Sequence, residues 1–264
     1  MQPLFGLKLG IGEAEQARRA AILWNNHKYD FLELYIHSYA KPEDAALWFW
    51  YEGFLVLHGP HSGSGFNFAS HDKAEANMRA VELVDAIRRR LLPDIVIFHP
   101  GLDGEMSEAL RQIGLVRKNF PDLHEIMLLE NKPAIGLDGE ICLGASPEEI
   151  KMMLGETGCG FCLDVRHAFA YAAANNLSGI EVLKEMVQLR PRLWHVADGL
   201  VDSPLDSHLH IGEGDMPLRD ISLFWSLNTL VTIECQKNPN ENLVDFLKDI
   251  TLLKDFFSYS ACED

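Results

Sequence analysis

The residues with the clearest chemical potential lie in the stretch LDSHLHIGEGD, which runs from Leu205 to Asp215. This polar segment holds two histidines and three acidic residues around two glycines. Imidazole and carboxylate groups are ligands for ions such as zinc, manganese and iron. Taken alone, the segment is equally typical of a turn, because Asp and Gly both favour turns. The positions of the other histidines and acidic residues must decide between the two.

Ionisable residues also stand at or near the ends of six consecutive apolar runs. Successive members of this set are 31 to 41 residues apart, which suits one strand followed by one helix. Three more candidate ligands, His167, Asp206 and His208, follow the sixth and seventh of the eight runs. If the runs are parallel strands of a barrel, all nine side chains converge at the mouth where the strands end. The six residues at the run ends are His58, His99, Glu130, Asp164, His195 and Glu234.

Apolar runs alternate along the chain with stretches of helical periodicity, including 73–92 and 241–257. Continuous apolar runs are typical of strands buried on both faces in a parallel sheet. The alternation predicts a (β/α)₈ TIM barrel that forms a single domain over residues 1–264. A doubly wound open sheet is the alternative, but no GxGxxG follows the first run. The eight runs are 4–10, 31–36, 54–58, 95–99, 126–130, 160–164, 193–197 and 230–234.

Charge and composition restrict the class of protein. The net charge of -16 opposes non-specific attraction to nucleic acid or to an anionic membrane, although bound cations would offset part of it. No apolar run approaches the roughly 20 residues that span a bilayer. The first residues, MQPLFGLKLGIG, lack the features of a signal peptide. We therefore expect a cytoplasmic monomer that does not bind membranes.

The chain has five cysteines, and Cys159 and Cys162 form a CxxC pair. This pair is either a redox or zinc motif or part of a buried strand. The strand is favoured, because no second CxxC completes a zinc site. Side chains alternate along a strand, so Cys162 and Asp164 should point to one face and Cys159 to the other. We expect the thiols to be reduced.

Nine histidines and carboxylates at one mouth require cations, because four carboxylates placed together repel one another. Nine ligands are too many for one tetrahedral zinc ion. They suit two or three ions bridged by carboxylates and water. Such clusters activate a water molecule and stabilise the oxygens of a displacement at phosphorus. The residues therefore predict a metal-dependent hydrolase of phosphoesters.

Short motifs at the ends of the runs carry a family resemblance. Beginning at the third run they are LHGPH, FHPG, LLENKP, DVRHAFAYA, HVAD, DSHLHIGEG and TIEC. In this order they resemble the endonuclease IV family, or AP endonuclease family 2, within the xylose-isomerase-like TIM barrels. The resemblance implies a trinuclear zinc site that hydrolyses a phosphodiester next to an abasic sugar, with Mn²⁺ as an alternative ion.

The resemblance also implies roles for single residues. Glu130 would bridge two ions and position the attacking hydroxide, and Glu234 would be a second catalytic carboxylate. His61, His210 and Phe66 are the expected substrate contacts. The implied ligand sets are His58, His99 and Glu130 for the first zinc, Glu130, Asp164, His195 and Glu234 for the second, and His167, Asp206 and His208 for the third.

The loops expected to bind DNA carry few of the basic and aromatic residues that such binding needs. The loop after the second run, HSYAKPEDAAL, has one lysine followed by two acidic residues. The loop after the third run, HSGSGFNFASHDK, offers Phe66 or Phe68 for insertion between bases, but either ring could equally pack against the barrel. The expected partner is therefore either DNA with abasic sites or a small phosphorylated substrate.

Two other functions use the same barrel. A sugar or sugar-phosphate isomerase or epimerase would need one divalent ion held by Glu130, Asp164, His195 and Glu234, with the two glutamates as acid and base. The extra ligands His58, His99, Asp206 and His208 favour the hydrolase, because a single-ion isomerase does not require them all. Metal storage without catalysis is the most distant alternative.

Overall fold

The computed structural model describes residues 2–235 and 243–260, and these form a closed barrel of eight parallel strands. Each strand pairs with the next in the chain, and β8 closes the barrel by pairing with β1. This confirms the predicted fold. The strands are β1 (Leu4–Gly10), β2 (Phe31–Tyr35), β3 (Leu55–His58), β4 (Ile95–Phe98), β5 (Met127–Glu130), β6 (Gly160–Asp164), β7 (Leu193–Val196) and β8 (Leu230–Ile233).

The helices lie between the strands, with one exception to the expected alternation. The connection from β2 to β3 is a 3₁₀ helix, Pro42–Trp48. Trp48 ties it to the barrel rim by donating from Nε1 to the carbonyl of Ile11 at 2.7 Å. The α-helices are α1 (Ala14–Asn25), α2 (Ala74–Leu91), α3 (Met106–Asn119), α4 (Pro121–Glu125), α5 (Pro147–Thr157), α6 (Val165–Ala174), α7 (Gly179–Val187), α8 (Leu218–Ser222) and α9 (Val244–Ser260).

The predicted helical stretches 73–92 and 241–257 correspond to α2 and α9, although residues 241–242 lie outside the described residues. A capping box at Ser146 begins α5. Its hydroxyl accepts the backbone N–H of Glu149 at 3.1 Å, and the Glu149 carboxylate accepts the N–H of Ser146. None of the helices in the described part of the chain combines the length and apolar character needed to cross a membrane.

The inward face of the strands is apolar below and polar above. Seven buried residues form the apolar interior, and in most strands a polar residue follows two positions later on the same face. The outward face packs against the helices in the main core. The barrel is therefore closed below by apolar side chains and polar at its mouth. The seven interior residues are Phe31, Val56, Ile95, Ile97, Leu128, Cys162 and Leu193.

The CxxC pair follows the predicted alternation. Cys162 in β6 faces the barrel interior, beside Glu130 and His195. Cys159 precedes β6, packs in the outer core and lies 3.5 Å from His124. The four cysteines in the described residues are buried and take part in no disulfide, and Cys262 lies outside the described residues.

The aromatic packing outside β4 gives a test of the fold. Phe98 is fully buried, with its ring centroid 5.4 Å from Phe66 and 5.8 Å from Phe68. Phe98→Ala should lower the free energy of unfolding by about 3–5 kcal/mol, because it removes apolar contacts and leaves a cavity. Urea denaturation would measure this change. Phe49 is 59% exposed, so Phe49→Ala is the matched control and should change stability by less than about 0.5 kcal/mol.

Candidate metal centre

Glu130, the last residue of β5, lies at the centre of the mouth and is 1% exposed. Four histidines surround its carboxylate. His58 Nε2, His99 Nε2 and His195 Nδ1 lie 2.9, 3.2 and 3.3 Å from Oε2, and His167 Nδ1 lies 3.5 Å from Oε1. Burial would raise the pKa of Glu130, but His99 and His195 hold it well below its usual range. The carboxylate is therefore charged and needs positive charge around it.

The strand ends deliver most of the predicted ligands to this point. His58, Glu130 and Asp164 end β3, β5 and β6, and His195 lies one residue before the end of β7. His99 and Glu234 each follow the last residue of a strand, β4 and β8. Glu234 joins the centre through Oε2, which lies 2.6 Å from His195 Nδ1.

The loops supply a second group of ligands beside Glu130. Asp206 Oδ2 lies 3.2 Å from His167 Nε2 and 2.8 Å from His208 Nε2. These two imidazoles hold the pKa of Asp206 below its usual range although its burial opposes this, and the pKa of His208 rises to about 9 beside the carboxylate. All nine predicted ligands therefore belong to one connected group, called here the metal-ligand cluster: His58, His99, Glu130, Asp164, His167, His195, Asp206, His208 and Glu234.

Four of the five cluster histidines are oriented by a contact between one ring nitrogen and an oxygen acceptor, which leaves the other ring nitrogen directed at a cluster carboxylate. The Nδ1 atoms of His58, His167 and His208 contact the carbonyl oxygens of Gly59, Asn131 and Glu234 at 2.9, 2.8 and 2.7 Å. His195 is reversed, because its Nε2 contacts the Glu33 carboxylate at 3.0 Å. Such acceptors fix the tautomer of a metal-binding histidine and leave the other nitrogen free for an ion.

Asp164 joins the end of β6 to the start of α6. Its carboxylate accepts the backbone N–H of His167 at 2.7 Å, as a helix cap does. Asn131 holds its backbone from the neighbouring strand, donating to the Asp164 carbonyl and accepting the Asp164 N–H. Burial, with other carboxylates nearby, raises the pKa of Asp164 to about 6, although His167 opposes this. A nearby cation would relieve this shift.

Two buried residues hold the loop that carries Asp206 and His208. Arg166 is fully buried and donates from one nitrogen to the carbonyls of Ser203 and Leu205, at 2.6 and 2.7 Å. Asp198 accepts backbone N–H groups along the loop, including that of Gly212. Asp198 therefore shapes the loop through its backbone contacts.

Unpartnered buried atoms show that the cluster suits cations. Several of its nitrogen and oxygen atoms are buried without a hydrogen bond of good geometry, and such atoms are rare in proteins because they are costly. They are the two ring nitrogens of His99, Nδ1 of His195, Oδ1 of Asp206 and Oε2 of Glu234. Nitrogen and oxygen donors of this type are the ligands of zinc and manganese. The residues present therefore fit the implied metal ions.

Two charged residues beneath the cluster lie inside strands and not at strand ends, so the pattern of run ends does not identify them. Lys8 in β1 and Glu33 in β2 are paired in the strand register, with Lys8 Nζ 3.0 Å from Glu33 Oε1. Lys8 also contacts Glu234 Oε1 at 2.6 Å. Burial would raise the pKa of Glu33, but His195 and Lys8 lower it to about 2. The signal in the sequence is one charged residue inside each of two neighbouring apolar runs, LFGLKLG and FLELYI.

The cluster opens into two cavities of about 610 and 310 Å³ that share His61, His99 and Glu234. Of the expected substrate contacts, His61 lines both, with its ring stacked on Tyr35 at 5.0 Å. Phe66 does not reach the open mouth, because it is 4% exposed and packs in the aromatic core of β4. His210 lies behind the loop, where its Nδ1 contacts Asp249 on α9 at 2.9 Å.

Comparison with known proteins assigns the chain to a family. Residues 49–230 match the model of the xylose isomerase-like TIM barrel family. The chain belongs to this family. No curated protein matches its sequence. The family is described as a TIM barrel, which agrees with the closed barrel of eight parallel strands.

Solved structures that resemble this xylose isomerase-like barrel differ in their described activities. Endonuclease IV from Thermus thermophilus is 18% identical, with a TM-score of 0.72, covering 97% of this chain and 100% of that one. A D-tagatose 3-epimerase-like protein is 20% identical, with a TM-score of 0.69, covering 98% and 99%. A Thermus thermophilus protein soaked with zinc chloride is 21% identical, with a TM-score of 0.64, covering 92% and 96%. At these identities the similarity shows the fold alone.

The histidine at the cavity rim gives a pH-dependent prediction. Burial, reinforced by nearby His58 and Lys132, lowers the pKa of His61 to about 4. Unfolded histidine titrates near 6.5, so the unfolded chain takes up this proton first as the pH falls. His61 should therefore leave the free energy of unfolding at its full value above pH 6.5 and lower it progressively as the pH falls from 6.5 towards 4. NMR titration of the ring checks this, and a His61 transition near 6.5 would contradict it.

Proposed function

We propose that this protein is a metal-dependent phosphoester hydrolase whose centre binds three ions, zinc being the ion that its donor atoms suit best. One observation carries the proposal. The cluster divides into three groups of ligands around Glu130, rather than one group of four. His58, His99 and Glu130 lie together as the first group, and His167, Asp206 and His208 as the third. The second is marked by His195 Nδ1, which contacts both Glu130 and Glu234, with Asp164 nearby.

Glu130 has the role of a bridging ligand in this proposal. Its Oε2 lies 2.9, 3.2 and 3.3 Å from nitrogens of His58, His99 and His195, so this oxygen contacts histidines of both the first and the second group. A carboxylate so placed would be shared by the ions that these two groups hold. When bound, the ions supply an activated water and stabilise charge on the phosphoryl oxygens.

The side chains of the protein orient the metal-binding histidines and contact the reacting phosphate. The carbonyl and carboxylate acceptors behind His58, His167, His195 and His208 keep their free nitrogens aimed into the cluster. His61 lines both cavities, and burial favours its neutral form, so it can donate or accept a hydrogen bond to an oxygen of the substrate. Lys132 lines the larger cavity and adds a positive charge that attracts a phosphate.

The proposed substrate is a phosphoester, either the phosphodiester beside an abasic sugar in DNA or that of a small molecule. The larger cavity admits a sugar phosphate, but its rim includes the acidic residues Asp138 and Glu140. These charges oppose a duplex backbone. The cavity and the net charge of -16 therefore favour the small molecule, while the ligand set is equally compatible with DNA.

A single-ion isomerase or epimerase is the second candidate. It is favoured by the contacts of His195 Nδ1 with both Glu130 and Glu234, at 3.3 and 2.6 Å, which define one ion position between two glutamates. Two carboxylates beside one ion suit proton transfer between adjacent carbons. The group formed by His167, Asp206 and His208 has no role in that chemistry, so the hydrolase accounts for more of the cluster.

Metal analysis combined with three assays separates these functions. Purified protein dialysed against zinc should retain about three equivalents, the number that the three ligand groups hold. It should also hydrolyse bis(4-nitrophenyl) phosphate. Nicking of an abasic duplex as well would identify DNA as a substrate, whereas no nicking would favour a small phosphoester. One equivalent of ion with interconversion of sugars would overturn the hydrolase in favour of the isomerase.

Glu130→Gln tests the bridging role. Neutralising this carboxylate should reduce zinc content and lower kcat/KM by at least about 100-fold, the upper range for losing a group that merely supports a ligand. Glu181→Gln makes the same change on the exposed face of α7, where Glu181 contacts Lys184, and should retain full zinc content and activity. Full metal content and rate in the Glu130 variant would show that the bridge is absent.

A further inference from the structure

A second polar layer lies directly beneath the metal-ligand cluster. It consists of Lys8, Glu33 and Thr232, which face inward from β1, β2 and β8. Glu33 and Thr232 are fully buried, and the side chain of Lys8 is 12% exposed. Buried charges of this kind are costly unless they are paired, so their position under the cluster needs an explanation.

Glu33 controls the orientation of one ligand. Its Oε2 lies 3.0 Å from His195 Nε2 and also accepts the Thr232 hydroxyl at 2.8 Å. This contact leaves His195 Nδ1 facing Glu130 and Glu234. The other oriented cluster histidines use backbone carbonyls for this purpose, so His195 alone among them is held by a charged carboxylate. A carboxylate behind a ligand histidine strengthens that histidine as a metal ligand.

Lys8 connects this carboxylate to the cluster itself. Its ammonium group lies 3.0 Å from Glu33 Oε1 and 2.6 Å from Glu234 Oε1. The second oxygen of Glu234 faces His195 Nδ1. Lys8 therefore occupies one oxygen of Glu234 and leaves the other for an ion. The same ammonium compensates the buried carboxylate of Glu33 and the partly buried carboxylate of Glu234, which would otherwise repel each other.

We propose that Glu33 and Lys8 are positioning residues for the central ion, which is the ion that His195, Glu130 and Glu234 would hold. Glu33 fixes His195 with Nδ1 available, and Lys8 fixes Glu234 with Oε2 available. The proposal rests on the metal centre of the proposed function but not on its reaction. A purely structural ion pair would stabilise the barrel without changing the affinity of that centre for ions.

Cobalt(II) titration distinguishes positioning from a structural role, because the visible absorption of cobalt reports each ion and its geometry without any substrate. In Glu33→Gln, one equivalent of cobalt should bind about 10- to 100-fold more weakly, the effect expected for removing a partner of a ligand histidine. The absorption of that equivalent should also change. The remaining equivalents should bind as in the natural protein.

Asp85→Asn is the matched control. Asp85 is a buried carboxylate on α2, paired with Arg88 and Arg89 and remote from the mouth. Its substitution should lower the melting temperature without altering cobalt binding. If Glu33→Gln behaves like Asp85→Asn, with lower stability and unchanged affinity for every equivalent, Glu33 is structural and the proposal is overturned.

Lys8→Met tests the second residue in the metal-free protein. Removing the ammonium leaves Glu33 and Glu234 without their cation, so the melting temperature should fall by roughly 5–15 °C. Adding cobalt should raise the melting temperature of Lys8→Met by more than it raises that of the natural protein. The reason is that the ion replaces the ammonium as the positive charge beside Glu234. The double variant Lys8→Met with Glu33→Gln should be more stable than Lys8→Met, because one of the two carboxylates is neutralised.

The outcomes separate this inference from the proposed function. If cobalt binding depends on Glu33 but the protein hydrolyses no phosphoester, the positioning role is supported and the proposed hydrolase function is excluded. Phosphoester hydrolysis with cobalt affinity independent of Glu33 would do the reverse. A metal-free Lys8→Met variant as stable as the natural protein would overturn the role of Lys8, and a natural protein that binds no cobalt would overturn both proposals.

Discussion

A buried carboxylate among four imidazole rings is the constraint on which the rest of the mouth depends. Glu130 is almost inaccessible to water, and the nearest nitrogens of four histidines lie within 3.5 Å of it. A charged group cannot remain in such a place unless positive charge surrounds it. Without ions, protonated His167 and His195 supply that charge, because neighbouring carboxylates raise the pKa of each ring although burial opposes this. Ions that replace these protons must release them, so metal binding and proton release are coupled at this site.

The barrel satisfies this constraint through alternation along its strands. Apolar side chains fill the lower interior, and the polar residues stand above them on the same inward face. The apolar layer excludes water from below, which strengthens every charge interaction above it. Backbone carbonyls and Glu33 then orient the histidines from outside the cluster. The geometry of the cluster is therefore held by strand ends, and only Asp206 and His208 depend on a long loop.

The sequence predicts the barrel and the membership of the cluster well, since both follow from one regularity. Six of the nine ligands lie at or near the end of an apolar run, the other three follow the sixth and seventh runs, and parallel strand ends share one edge. Residues that escape this rule were missed. Lys8 and Glu33 lie within runs, and recognising them requires the strand register, which joins residues 25 positions apart. Phe66 packs in the aromatic core of β4 and His210 contacts Asp249 on α9, because proximity to the mouth in sequence does not determine whether a side chain faces the cavity or the core.

The comparisons explain why the fold alone does not decide the chemistry. Barrels of nearly the same shape are described as an endonuclease and as an epimerase-like protein. Function in such folds depends on the site grafted onto the barrel. Under the proposed function, the number of ligand groups at the mouth is the feature that distinguishes hydrolysis from isomerisation. The number of ions is thus the quantity on which the account depends.

X-ray anomalous scattering at the zinc absorption edge, from crystals of the zinc-loaded protein, measures that number and the positions directly. The account predicts three separate peaks around Glu130, one beside His58 and His99, one beside His195 and Glu234, and one beside His167 and His208. A single peak between His195 and Glu234, or no peak within reach of Glu130, would contradict it.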